Sequence, residues 1–229
     1  MTGMSYVLAT YTSWERFWFI QGFVLWTPAY VTIVFIALRR HVLEIPMVAA
    51  TSNIAWEFLW GFVFHQDMSP RVQHVYRGAF VLDLFILGAV FLLGAKQTTA
   101  PLLKRHHIVL VVALLAGWGA LFWSLQRSGY DLPLGTNSAY VDTLVMSTLY
   151  LWFFLTGIDV KNLSFVVACS KGLGTAMVTV FVFLRYPDNE FAATIAVICG
   201  LLDATYIVVL GRAKLARRRS IASPPVSTA

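Results

Sequence analysis

Long apolar runs separated by short polar segments make up most of the chain. Each run holds about 20 residues, the length that an α-helix needs to cross the hydrocarbon core of a bilayer. The pattern therefore predicts an all-α integral membrane protein, a bundle of seven transmembrane helices forming one domain over residues 1–211. The predicted spans are residues 17–38, 43–64, 77–94, 108–126, 139–158, 162–184 and 190–211.

The composition excludes a soluble protein of this size. Of the 229 residues, 59% are hydrophobic and only 12% are charged, and the mean hydropathy is +0.72. A water-soluble fold must cover its surface with polar groups, and this chain has too few of them. Most of the surface is therefore expected to face lipid.

The distribution of Lys and Arg predicts the orientation in the membrane. Eleven of the seventeen basic residues fall in the segments 39–44, 95–107 and 159–161 and after residue 211. The positive-inside rule places these segments in the cytoplasm and the N-terminus outside. Residues 212–229 are predicted to be a basic, disordered cytoplasmic tail that meets anionic lipid headgroups rather than nucleic acid.

Motifs for a metal or a bound cofactor are missing from the sequence. Cys169 and Cys199 both lie within predicted spans, and the adjacent His106 and His107 lack a third ligand nearby. No glycine-rich phosphate-binding loop is present. We therefore expect neither a metal nor a cofactor.

Four ionisable residues lie well inside the predicted spans: Glu57, Asp83, Lys171 and Asp203. A charge inside the hydrocarbon region is costly unless it is paired, neutralised or hydrated, so these side chains should face the interior of the bundle. Lys171 and Asp203 should lie at similar depths, which predicts an ion pair between them. That pair could be purely structural, or it could line a cavity.

Two further carboxyl groups, those of Asp142 and Asp159, are near the ends of predicted spans. Both are expected at loop edges, where they can reach the membrane interface.

The most informative segment surrounds Glu57. Asn53 precedes it by four residues and Trp60 follows it by three, so all three side chains should share one helix face. Such a carboxyl has a hydrogen-bonding amide and a dry aromatic wall. Burial disfavours the charged form of a carboxyl, so we expect Glu57 to be protonated and able to donate a proton.

Aromatic rings also lie beside the second acidic residue. Tyr206 follows Asp203 by three residues. Glu57 is likewise next to aromatic residues, with Trp56 directly before it and Trp60 three residues after it. The electron-rich face of an aromatic ring attracts a cation, more strongly where water is excluded. A proton donor next to such rings is what carbocation chemistry on an apolar substrate requires.

These motifs resemble those of a known enzyme family. A short seven-span chain with Asn-x-x-Trp-Glu at residues 53–57 and Asp-x-x-Tyr at 203–206 is similar to the membrane-integral terpene cyclases of the paxilline and pyripyropene type. That family makes indole diterpenes and meroterpenoids in fungi and has bacterial relatives of the drimentine type. Short loops and the basic tail favour a bacterial member. The membrane would then be the bacterial plasma membrane, or the endoplasmic reticulum in a eukaryote.

The resemblance implies a function and two catalytic residues. The family's essential acids would fall on Glu57 and Asp203. Glu57 would protonate a terminal alkene or epoxide of a farnesyl or geranylgeranyl chain on an aromatic or indole substrate. Asp203 would support that protonation or help to terminate the cascade. Residues expected to bind the substrate or stabilise its cations are Asn53, Trp56, Trp60, Asp83, Tyr206 and Lys171.

The missing motifs agree with that chemistry. No Asp-Asp-x-x-Asp run is present to hold magnesium and ionise a diphosphate. The expected partner is a lipophilic prenylated small molecule, supplied by a prenyltransferase and, for an epoxide, an epoxidase.

Two other classes of membrane protein also have seven spans. A small transporter built as three plus one plus three spans is the alternative, because Val81-Leu82-Asp83 loosely repeats as Leu201-Leu202-Asp203. A retinal-binding photoreceptor would need a lysine in its last span, and this chain has none there before the tail.

Overall fold

The computed structural model describes residues 11–98, 100–156 and 158–222, which fold almost entirely as helices. Eight α-helices follow one another along the chain, and short π and 3-10 turns occur between some of them. The α-helices are α1 (Ser13–Arg40), α2 (Met47–Phe58), α3 (Pro70–Gln97), α4 (Pro101–Arg105), α5 (His107–Arg127), α6 (Thr136–Leu155), α7 (Phe165–Arg185) and α8 (Glu190–Ala222).

Six of the described helices are long and apolar enough to cross a membrane: α1, α3, α5, α6, α7 and α8. The second predicted span, residues 43–64, is shorter in the structure. Its α-helix begins only at Met47 and changes to a π turn over Leu59–Val63. The protein is therefore an all-helical membrane protein with six candidate spans, and the seventh span and the orientation of the termini remain predictions.

Helix α2 lies at the centre of the bundle. It packs against α3, α5 and α6, and every residue from Ala49 to Glu57 is buried. Small side chains at positions such as Ala49, Ala50 and Ser52 allow neighbouring helices to approach closely. Around this centre, α1 packs along α7, and α8 packs against α6 and α7.

Local signals in the sequence account for several helix boundaries. Thr12 accepts a hydrogen bond from the backbone N–H of Glu15, and the Glu15 carboxylate accepts one from the Thr12 N–H, so α1 begins with a capping box. Ser164 caps α7 in the same position. The loop before α6 is fixed by Asp131, whose carboxylate accepts hydrogen bonds from the backbone N–H groups of Asn137 and Ser138.

Helix α8 is longer than predicted. It continues to Ala222, so residues 212–222 of the predicted disordered tail are helical. Ala, Leu, Lys and Arg, which are common in this segment, all favour the helix, and no Gly or Pro interrupts it after Gly211. Residues 223–229 lie outside the described residues.

Candidate active site

A cavity of about 400 Å³ lies between α1, α2, α3, α6 and α7, within the size range of small-molecule sites. Its wall is mostly aromatic. Residues 19, 23, 26 and 30 of α1 line it because a spacing of three or four residues brings side chains to one helix face. The rings around the cavity are those of Phe19, Phe23, Trp26, Tyr30, Trp56, Tyr76, Tyr140 and Phe181.

Glu57 lies on the wall of this cavity and is 3% exposed. The Tyr30 hydroxyl donates a hydrogen bond to its Oε1 at 2.7 Å. The Asn53 amide nitrogen is 3.3 Å from the same oxygen, which confirms that Asn53 and Glu57 share a helix face. Its Oε2 is buried and has no hydrogen-bond partner among the described residues. One carboxyl oxygen is thus held by the Tyr30 hydroxyl, while the other is enclosed by protein, and the Asp83 side chain is a direct neighbour of this carboxyl.

Asn53 connects Glu57 to a second carboxyl group. Its amide donates to the Tyr30 hydroxyl at 2.8 Å and to Asp83 Oδ2 at 2.6 Å. An amide has only two hydrogens, so these two shorter contacts use both of them. Asp83 is 2% exposed and does not line the cavity. It therefore lies behind the cavity wall, where it orients the Asn53 amide and also contacts the Glu57 carboxyl.

Asp142 is a third buried carboxyl, and its predicted position at a loop edge is wrong. It is 3% exposed and lines the cavity. The reason is that α6 begins at Thr136, so Asp142 is well inside the helix and not near its end. Its Oδ1 has no hydrogen-bond partner in the described part of the chain.

The predicted Lys171–Asp203 ion pair is confirmed. The Lys171 Nζ lies 2.6 Å from Asp203 Oδ1 and 2.6 Å from the Ser147 hydroxyl. The two charged side chains are 3% and 6% exposed. Neither residue lines the main cavity, but the ammonium is 5.9 Å from the centre of the Trp26 ring, which does.

Two of the predicted aromatic residues lie outside the cavity. The Trp60 ring is fully buried between Gly135 and the Trp56 ring, whose centre is 6.4 Å away, and does not line the cavity. Tyr206 packs against Tyr150, with ring centres 5.7 Å apart, on the other side of the Lys171 ion pair.

Trp56, in contrast, is held in the cavity wall. Its indole N–H donates to the Ser138 hydroxyl at 2.9 Å, and its ring meets Tyr76 edge-on with centres 5.1 Å apart. Both contacts fix the plane of the ring that faces the cavity.

Sequence reasoning missed Tyr30, Trp26 and Asp142. The signal for the first two was the spacing of Trp26, Thr27 and Tyr30 in an otherwise aliphatic part of α1. No such local signal marked the start of α6, because that start depends on the fold of the preceding loop.

Comparison with known proteins assigns the chain to a family. Residues 7–213 match the family described as Pyr4-like transmembrane terpene cyclases. Among curated relatives, the Pyr4-family terpene cyclase mfmH of Annulohypoxylon moriforme is 25% identical over 193 residues, covering 79% of this chain and 78% of the relative. Asnovolin H synthase nvfL of Aspergillus novofumigatus is 25% identical over 203 residues, with 80% and 79% covered.

A third relative, the terpene cyclase cle7 of Aspergillus versicolor, is 24% identical over 163 residues, which is 70% of this chain and 67% of the relative. No solved structure matches the chain. These matches favour the predicted cyclase over the transporter alternative. Together with the apolar helices around an aromatic cavity, they establish that this membrane protein belongs to the Pyr4-like transmembrane terpene cyclases.

Proposed function

We propose that the protein cyclises the prenyl chain of a farnesylated or geranylgeranylated aromatic or indole compound by a protonation-initiated, metal-independent reaction. The observation that carries this proposal is the environment of Glu57. Glu57 lines an aromatic cavity, its Oε1 accepts a hydrogen bond from the Tyr30 hydroxyl, and its carboxyl contacts the second buried carboxyl, that of Asp83. A carboxyl group so placed is suited to give a proton to a weakly basic group of an apolar ligand.

Glu57 is proposed to act in its neutral form. Among the described residues no Lys or Arg forms an ion pair with Glu57 or Asp83. Burying an unpaired carboxylate is costly, and burying two that share the Asn53 amide is more so. The Tyr30 hydroxyl would keep Oε1 as the acceptor, so that the acidic proton lies on Oε2.

The reaction would begin when the Glu57 proton moves to a terminal alkene carbon or to an epoxide oxygen. The alkene π electrons, or the C–O bond that opens, leave a tertiary carbocation. Each following alkene then attacks the cation, forms a C–C bond and passes the positive charge along the chain. Loss of a proton ends the cascade, so the product is an isomer of the substrate and the catalyst regains its proton overall.

The aromatic wall would stabilise these cations. Trp26, Trp56 and Tyr76 present large rings around a space with few polar groups. A cation within about 6 Å of such a ring is stabilised by roughly 2 kcal/mol when water is excluded. The same exclusion of water prevents capture of the cation as an alcohol.

Two further acidic residues are assigned positioning roles. Asp83 orients the Asn53 amide that contacts Glu57. Asp203 holds the ammonium of Lys171 beside the Trp26 ring. Trp56 is proposed to stabilise substrate cations directly, whereas Trp60 supports the Trp56 ring and Tyr206 packs against Tyr150, away from the cavity.

The proposed substrate is a prenylated lipid-soluble compound that a prenyltransferase supplies, with an epoxidase acting between them when the starting group is an epoxide. One relative carries the name asnovolin H synthase, so a related chain is named for making a single defined product. The proposed location is the bacterial plasma membrane, or the endoplasmic reticulum of a eukaryote.

Incubation of membranes that contain the protein with defined substrates tests this proposal. The panel consists of farnesylated and geranylgeranylated phenols and indoles, each with and without the terminal epoxide. Mass spectrometry should find a product of unchanged mass but different retention time, and control membranes without the protein should not form it. A product whose mass has changed, by loss of diphosphate or gain of oxygen, would contradict the proposed reaction.

A further inference from the structure

The cavity has an opening on the side of the bundle, between α1 and α3. Of the described residues that line the cavity, three are exposed: Thr27 on α1 and Val75 and Gly78 on α3. The other lining residues are buried or half-buried. Since all three exposed residues belong to these two helices, the cavity reaches the protein surface at the seam between them.

This seam faces the hydrocarbon region of the membrane. Thr27 is near the middle of α1, about 20 Å from either end at 1.5 Å per residue. Gly78 is about 12 Å from the start of α3. Further along the seam the outward side chains are apolar, and Val24, Val31 and Val81 are 55%, 51% and 50% exposed. On the side of Val75 the exposed side chains of Arg71 and His74 follow, so the opening begins near the membrane interface and extends along the lipid-facing side of the bundle.

The residue types at the seam keep it open. A Cβ atom added at Gly78 would meet no heavy atom within 4 Å, so α1 and α3 are not in contact at this point. The Thr27 hydroxyl donates to the backbone carbonyl of Phe23 at 2.9 Å, which satisfies its polar group within the helix. Towards the start of both helices, the Phe23 and Tyr76 rings approach to 5.6 Å and close the gap.

The end of the bundle nearest the cavity is covered. The loop before α6 places Leu134 over this end, where it is only 2% exposed. The Tyr76 hydroxyl donates to the Leu134 carbonyl at 3.0 Å, and the Trp60 ring packs against Gly135. Among the described residues, then, the side seam is the route by which a long apolar molecule can reach the cavity.

We propose that this seam is a lateral portal through which the prenyl substrate moves from the bilayer into the cavity and the product returns. The inference rests on the proposed function, since it takes a lipid-dissolved prenyl compound as the ligand. Gly78 sets the width of the portal, because it is the lining position where a side chain would fill open space between the helices. A larger residue there should slow passage without removing any group that holds the bound ligand.

The test measures how fast a ligand binds and leaves. The probe is the dansyl sulfonamide of hexahydrofarnesylamine, which has the branched prenyl skeleton but no alkene or epoxide to protonate. Energy transfer from the tryptophans, of which Trp26 and Trp56 line the cavity, to the dansyl group is followed by stopped flow in lipid nanodiscs, and the saturable part of the signal gives the association and dissociation rate constants. Because the probe cannot be cyclised, the result does not depend on which residue is the acid.

Gly78→Leu is compared with Gly88→Leu on the same helix. Gly88 also has no heavy atom within 4 Å of an added Cβ but does not line the cavity, so both changes add the same side chain in open space on one helix. We expect Gly78→Leu to lower the association and dissociation rates together by at least tenfold, leaving their ratio within about twofold. Gly88→Leu should leave both rates unchanged.

Thr27→Phe, on the opposite edge of the seam, adds no tryptophan donor, should act as Gly78→Leu does and serves if the first variant folds poorly. Rates equal to those of the parent in both seam variants would place the route elsewhere and overturn the portal. A faster dissociation with weaker affinity would show that residue 78 only contacts the bound ligand, which also overturns it. If the parent protein does not bind the probe at all, both the portal and the proposed substrate class are wrong. Binding of the probe with parental rates in the seam variants overturns only the portal.

Discussion

Removing the carboxyl of Asp203 should have separate effects on stability and on turnover. In Asp203→Leu, the ammonium of Lys171 keeps the Ser147 hydroxyl but loses its charged partner at 2.6 Å. The side chain is only 3% exposed, so water cannot replace the lost carboxylate. Breaking a buried ion pair on one side typically costs about 3–5 kcal/mol.

For a protein of this length, that cost corresponds to a fall in melting temperature on the order of 10 °C. Replacing Lys171 as well removes the unpaired charge, so Asp203→Leu with Lys171→Leu should melt close to the parent. The assay is thermal unfolding of purified protein in one detergent, followed by intrinsic fluorescence. The matched control is the surface ion pair Lys161–Asp159, in which Nζ and Oδ2 are 2.8 Å apart and both side chains are about half exposed. The coupling energy between these two residues should be near the measurement error.

Turnover separates a positioning role from a purely structural one. The Lys171 ammonium lies 5.9 Å from the centre of the Trp26 ring, which forms part of the cavity wall. If Asp203 acts by holding that ammonium in place, the stable double variant should still cyclise substrate at least tenfold more slowly than the parent. A double variant that works at the parental rate would refute the positioning role, and a single variant as stable as the parent would refute the energetics of the buried pair.

The remaining predictions concern metal dependence, pH and the loop before α6. A chelator should leave turnover unchanged, and loss of activity that magnesium alone restores would contradict the proposed chemistry. Burial raises the pKa of the Glu44 carboxyl to about 7, although the Ser164 backbone N–H donates to it. Between pH 5 and pH 8 the folded state then keeps a proton that the unfolded state has released, so the free energy of unfolding should fall by up to about 3 kcal/mol over this range. In thermal unfolding experiments at several pH values, Glu44→Gln should reduce this dependence on pH. Gly135→Ala should lower the melting temperature more than Gly129→Ala. Both glycines have a positive φ, but only at residue 135 would the added Cβ lie 2.4 Å from the Trp60 ring. Equal losses would show that backbone strain alone, and not the contact with Trp60, decides the effect.

Features that depend on local spacing could be predicted from the sequence. The length of the apolar runs predicted the six long apolar helices, and the rule that buried charges pair predicted the contact between Lys171 and Asp203. The four-residue spacing of Asn53 and Glu57 likewise predicted their shared face. These inferences need only the geometry of one helix or the cost of an unpaired charge.

Features that depend on tertiary packing could not be predicted in this way. Neither the π turn after Phe58 nor the packing of the Trp60 ring against Gly135 is marked by the pattern of apolar residues. The start of α6 depends on Asp131 in the preceding loop, and that start is what brings Asp142 into the cavity. Tyr30 becomes part of the site only because α1 packs against the helix that carries Glu57.

Turnover by a folded Glu57→Gln protein tests the proposed chemistry most directly. The amide keeps the size of the side chain and can accept the Tyr30 hydrogen bond, but it has no proton to transfer. Loss of general acid catalysis should reduce kcat by at least about a hundredfold, while the melting temperature and the binding of the saturated prenyl probe stay near those of the parent. Glu44→Gln, which removes a buried carboxyl that does not line the cavity, should keep parental turnover. Substantial cyclisation by Glu57→Gln would contradict the assignment of Glu57 as the acid.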